Sequence, residues 1–101
     1  MRYVKLSDLR VQLDIDDALL EDLMAEELIE IKHALDGEED LSAADAERLR
    51  VILLLLRELE VNLPGIEVIM HMRDELLAMQ QQFDEILHAL VEELRKRVGG
   101  Q

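Results

Sequence analysis

Apolar residues recur in short helical periods, and the joints between them share one local design. At each joint an apolar residue precedes a capping side chain, and a second apolar residue lies five positions after the first. This is the hydrophobic staple, in which the residue before the N-cap packs on the fourth helical residue. Leu6, Ser7 and Val11 make the first instance, and Ile15, Asp16 and Leu20 the second. Leu41, Ser42 and Ala46 make the third, with Asp45 at N3 approximating a capping box; Val61, Asn62 and Ile66 make the fourth. Two short helices are predicted over 8–13 and 17–25, joined tightly at Asp14 and Ile15, the spacing of a helix-turn-helix.

Leu28, Ile29 and Ile31 then predict a strand, Asp36-Gly37 a hairpin turn, and 38–41 a returning arm rich in acid. A third helix is predicted over 43–60, with Leu49, Ile52, Leu53, Leu56 and Leu59 on its buried side. The fourth starts at Leu63 and runs to Val98. Arg95, Lys96 and Arg97 suit the negative end of its dipole, and Gly99-Gly100 is expected to end it. Pro64, the only proline, falls in its first turn, where a missing N–H costs nothing. The stretch "ELEVNLPGIEVIM", 58–70, is therefore a joint between helices, and Gly65 is expected to let another helix pack closely.

Along the fourth helix Ile69, Met72, Leu76, Met79, Phe83, Ile86 and Leu90 alternate steps of three and four, a coiled-coil seam. Leu77, Leu87, Val91, Leu94 and Val98 widen that apolar face. About thirty-five helical residues make a rod of roughly 50 Å, against a radius of gyration near ~13 Å for a compact domain of this size. The seven seam residues are thus the expected interface of a homodimer. The fold class expected is mostly α: a winged helix-turn-helix over 1–61, with a two-stranded hairpin wing, and a long C-terminal dimerisation helix over 62–101.

Composition supports helix packing. Half of the chain is hydrophobic, yet Tyr3 and Phe83 are its only aromatics, so aliphatic side chains fill the core. The absence of cysteine excludes disulfides and thiol chemistry. The longest apolar run, 51–56, is far short of the roughly 20 residues that span a bilayer. The first ten residues hold no signal-peptide core, so the chain is expected in the cytoplasm.

Charge changes the picture most. The net charge is −13, and 14–47 alone holds fourteen acids against one cation, Lys32. Phosphate backbones are repelled by such a surface, whereas a cationic protein is drawn to it. Candidate chemistry is sparse. His33, His71 and His88 are widely separated, and Glu85 with His88 forms one E-x-x-H unit where di-iron bundles need two. Ser7 and Ser42 are accounted for as caps. No glycine-rich phosphate loop exists. Met70, Met72 and Met79 at helical spacing read as core or dimer interface. No enzyme activity, metal or cofactor is expected.

The order helix, turn, helix, wing, helix, long helix resembles the MerR-type winged-helix regulators. "AERLRVILLLLRELEVNLPGIEVIM", 46–70, is similar to the leucine-rich helix, the LRxLGFSL-type joint and the following xEI of that superfamily. Leu56-Arg57-Glu58-Leu59, Val61-Asn62-Leu63 and Ile66 carry the match. "DLSAADAERL" resembles the wing-to-helix junction, with Leu41 where an aromatic is usual. Asn62, Leu63, Pro64, Gly65, Ile66 and Val68 narrow the resemblance to the CbpM-type chaperone modulators, many of which have an aromatic where Leu63 stands.

That resemblance implies binding to the J-domain of a DnaJ/CbpA-like co-chaperone, and its inhibition by covering the basic helix that J-domains present to Hsp70. Asp14, Asp16, Asp17, Glu21 and Asp22 are the expected contact residues. The alternative is a MerR-like transcriptional regulator binding DNA as a homodimer. The elements such a regulator lays on DNA carry Asp16, Asp17, Glu21 and Asp22 in the second helix and Glu38-Glu39-Asp40 in the wing.

Overall fold

A computed structural model describes residues 2–99, which form two compact units, one ending at Val68 and one beginning at Ile69. Met1, Gly100 and Gln101 lie outside the described residues, and with them the expected terminating Gly100.

The first unit opens with β1, Tyr3–Lys5, followed directly by α1, Leu6–Leu13, and α2, Asp17–Ala25. β2, Lys32–His33, and β3, Glu39–Ser42, come next, then α3, Ala43–Arg57, and the start of α4, Leu63–Gly99. The sheet has three strands with β3 in the centre, antiparallel to both neighbours. The wing thus gains a strand beyond the expected hairpin: Tyr3, Val4 and Lys5 pair with Ser42, Leu41 and Asp40. Three residues are too few to display alternation, so β1 carries no periodic signal.

β1 also shifts the first helix. Lys5 is extended (φ −69°, ψ 132°) and stands at the N-cap with no side-chain cap. Ser7 is therefore inside α1, and Val11, the expected staple partner of Leu6, is exposed. The other three caps form as predicted. Asp16 accepts from the Leu19 N–H at 2.8 Å, Ser42 from Asp45 at 3.1 Å, and Asn62 from Gly65 at 2.9 Å.

The predicted strand at 28–31 is a turn that plugs the core. Glu27 is left-handed (φ 57°), Leu28 N–H reaches the Leu23 carbonyl at 2.9 Å, and Glu27 N–H the Met24 carbonyl at 3.0 Å. This is a Schellman closure with its usual apolar contact, Leu23 and Leu28 both being buried. α3 ends in a similar way, with Glu60 left-handed and Val61 N–H on the Leu55 carbonyl at 2.9 Å. That closure stops α3 short of the expected residue 60 and leaves Leu59 exposed. In the hairpin the turn closes on Gly37 (φ 85°), helped by Asp36, whose carboxylate accepts from Glu38 N–H at 3.0 Å.

The core of this unit is aliphatic, with Leu9, Leu23, Leu41, Leu49, Ile52 and Ile66 fully buried. Gly65 makes room within its own joint rather than for another helix. A Cβ there would stand 2.9 Å from Val61 Cγ1 and 3.1 Å from the Asn62 Oδ1 that caps α4. The second unit is the remainder of α4, one continuous helix.

Replacing glycine by alanine in a helix normally stabilises by ~0.5–1 kcal/mol. Gly65→Ala is expected to do the opposite, lowering stability by about 1 kcal/mol through the displaced cap. In a Val61→Ala background the loss should shrink or vanish, as read by chemical denaturation of both pairs. A stabilising Gly65→Ala would refute the packing account.

Candidate protein-binding surface

The helix-turn-helix is fixed from α3. Arg57, the last residue of α3, donates from Nη1 to the Leu13 carbonyl at 2.5 Å and from Nη2 to the Asp14 carbonyl at 2.6 Å. These oxygens end α1 and have no partner within their own helix, so a cation there satisfies both their lone pairs and the helix dipole. Asp14 is left-handed (φ 50°) and turns the chain toward Ile15, which is buried, and Asp16, which caps α2. Arg48 acts similarly on the other side, its Nε donating to the Leu28 carbonyl at 2.9 Å.

Internal partners hold other cations of the unit. Lys5 pairs with Glu38 at 3.4 Å, Lys32 with Glu30 at 3.1 Å, Arg50 with Glu47 at 3.9 Å, and Arg10 with Asp17. The Glu30 hydrogen bond, followed by its charge, pushes the Lys32 pKa up. The exposed acids are much less engaged. All five expected contact residues are solvent-exposed, but they differ in availability. Asp14 offers its carbonyl to Arg57, Asp16 spends a carboxylate oxygen on its cap, and Asp17 holds Arg10. Glu21 and Asp22 make no ion pair among the described residues.

Asp17 and Glu21 also line an open groove with Glu39 of the wing, over a floor of Leu20, Met24 and Ile31. Sequence reasoning missed this groove. It depends on the wing folding beside α2 and on Ile31 lying just before β2 rather than in the expected strand. Met24 at the end of α2 is the signal available in the sequence, a large apolar residue on the face that Asp17 and Glu21 share.

In the second unit all seven seam residues are exposed, from 37% at Ile69 to 64% at Leu76. Leu77, Leu87, Val91, Leu94 and Val98 are exposed as well. Met70 is buried, whereas Met72 and Met79 are open. His71 lies 2.9 Å from Glu75 one turn on. Among the described residues no group of three or more acids or histidines could hold a metal ion. Nor, among the described residues, is any helix long and apolar enough to cross a membrane.

Glu67, early in α4, has its pKa raised by the Glu26 side chain at the C-terminal end of α2, first through hydrogen bonding to it and then through desolvation and the Glu26 charge. The folded chain thus holds that proton more tightly than the unfolded chain does. The contribution is complete below the ordinary glutamate range and is lost as pH rises through the elevated value. Once Glu67 is ionised, the Glu26 charge works against it. Glu26→Gln should therefore raise the thermal midpoint at pH 7 and flatten the acid side of the stability profile; a lower midpoint at pH 7 would contradict the pairing.

No curated protein and no solved structure is detectably similar to the chain. A family profile described as MerR HTH family regulatory protein matches residues 4–95, nearly the whole length, and covers the winged unit and the long helix together. With a helix-turn-helix closed by Arg57, a small antiparallel wing and a continuous C-terminal helix in place, the chain belongs to the MerR HTH regulatory protein family.

Proposed function

We propose that this chain is a non-enzymatic modulator of the CbpM type, which binds the J-domain of a DnaJ/CbpA-like co-chaperone and inhibits it. The observation that carries this reading is the imbalance of charge on the winged unit. Of its seven cations, Lys5, Arg10, Lys32, Arg48 and Arg50 are held by neighbouring acids and Arg57 by backbone carbonyls, which leaves Arg2 at the exposed start of the chain. A MerR-like regulator on DNA needs such cations free for phosphate. What the unit chiefly offers outward is carboxylate: Glu21 and Asp22 on α2 and Glu39 on the wing. Such a surface suits the basic helix of a J-domain, and covering that helix would block its encounter with Hsp70. Charge would govern the rate of encounter, while apolar contacts supply most of the affinity.

The same reading includes a homodimer. An apolar stripe of twelve large side chains, Ile69 to Val98, is more than a monomer in water ordinarily leaves open. Its three-four periodicity is that of a two-helix seam. The protein is expected to sediment as a dimer at tens of micromolar, with Phe83→Asp shifting it toward monomer. A monomeric wild type would remove the dimer from the proposal.

Binding to a purified J-domain should weaken as salt is raised. Glu21→Gln combined with Asp22→Asn should slow association about threefold or more while leaving the fold intact, since neither side chain caps or pairs. Asp16 and Asp17 are unsuitable for this test because the cap and Arg10 depend on them. No J-domain association at low salt, together with retardation of a DNA duplex, would replace this reading with that of a DNA-binding regulator.

A further inference from the structure

The groove between α1, α2 and the wing has a composition that separates it from the rest of the acidic surface. Leu20 is buried at its base, Met24 is 40% exposed at the end of α2, and Ile31 is half-buried just before β2. Asp17, Glu21 and Glu39 rim this floor from two different elements. Solvated acids need no apolar floor, and a core needs no open one. An exposed methionine beside isoleucine is a deformable contact for an apolar side chain of varied shape.

Buried Leu6 and Arg10 complete the lining, and the Arg10 guanidinium is bound to the Asp17 carboxylate across the α1–α2 joint. The only cation of the groove is thus already neutralised by one of its acids, whereas Glu21 and Glu39 make no ion pair among the described residues. Two uncompensated carboxylates flanking an apolar floor are complementary to a helix with one apolar and one basic face.

We propose that this groove is the docking slot for one cationic amphipathic helix of a partner protein. Met24 and Ile31 receive its apolar side chains, Glu21 and Glu39 take its lysines or arginines, and a further cation exchanges with Arg10 on Asp17. The proposal rests on the protein-binding reading above and locates it. A second copy of this chain is a poor occupant, because the chain carries net charge −13. Its densest basic segment is also partly spent, Arg95 lying 3.2 Å from Glu92 and Arg97 3.4 Å from Glu93.

The test is a titration of the full-length isotopically labelled protein with a synthetic amphipathic helix of leucine and lysine, followed by amide chemical shifts. A leucine–glutamate twin serves as control. Shifts should concentrate at Leu20, Met24, Ile31 and Glu39, and the twin should produce none. Met24→Ser should weaken the peptide about tenfold, as expected for a central apolar anchor. Arg10→Gln should tighten it about threefold by freeing Asp17. Circular dichroism on each variant verifies the fold.

Unchanged affinity in Met24→Ser, weaker binding in Arg10→Gln, or shifts confined to α4 would each overturn the slot. So would a peptide of the chain's own residues 86–101 competing better than the leucine–lysine helix, since the groove would then seat its own C-terminal end. A J-domain that binds wild type and Met24→Ser alike leaves the protein-binding function standing and removes the slot. A leucine–lysine helix that fills the groove while no J-domain binds does the reverse.

Discussion

One guanidinium holds the helix-turn-helix in place. Arg57 reaches from the end of α3 to the last carbonyls of α1, and by doing so fixes where α1 stops and where α2 begins. Hydrogen bonds from charged donors contribute roughly 1.5–3 kcal/mol each, and here they also satisfy a helix end that no local side chain caps. The turn at Asp14, the burial of Ile15 and the cap at Asp16 follow in order from that anchorage. α2 with its exposed acids is therefore tied through the turn to α3, and so is the side of the groove that it forms.

Caps and helices were legible in the sequence because they are written in short, self-contained spacings. Asp16, Ser42 and Asn62 each sit one residue before a helix and accept from three residues on, a rule that needs no tertiary information. Ser7 satisfied the same rule and failed. Strand pairing between β1 and β3 extended Lys5 and started the helix early, a decision taken at its distant partner Asp40. Leu28 and Ile29 misled for a related reason. Their hydrophobicity marked burial, but left-handed Glu27 turned them into a plug rather than a strand. Burial was readable there, and geometry was not.

The candidate surface shows the same division. Charge excess at 14–47 is a matter of counting, and the exposure of the long helix's stripe follows from its period. Which acids are free and which are committed could not be counted. Asp17 differs from Glu21 only through Arg10, and Asp14 contributes a carbonyl rather than its carboxylate. Gly65 is a further case: its missing side chain serves the cap and Val61 inside one joint, at distances no spacing rule supplies.

Three helix ends close on left-handed residues that are not glycine, and all three are acidic: Asp14, Glu27 and Glu60. A left-handed non-glycine residue costs roughly 1–2 kcal/mol, and an anion at a helix C-terminus opposes the dipole. Negative charge thus occupies places where conformation alone would favour another residue, and ionic strength becomes a lever with two opposed ends. Added salt is expected to relieve the internal repulsion and firm the winged unit, while it would weaken the pull on the cationic partner proposed above. The conditions that favour the free fold are then the least favourable to the proposed capture.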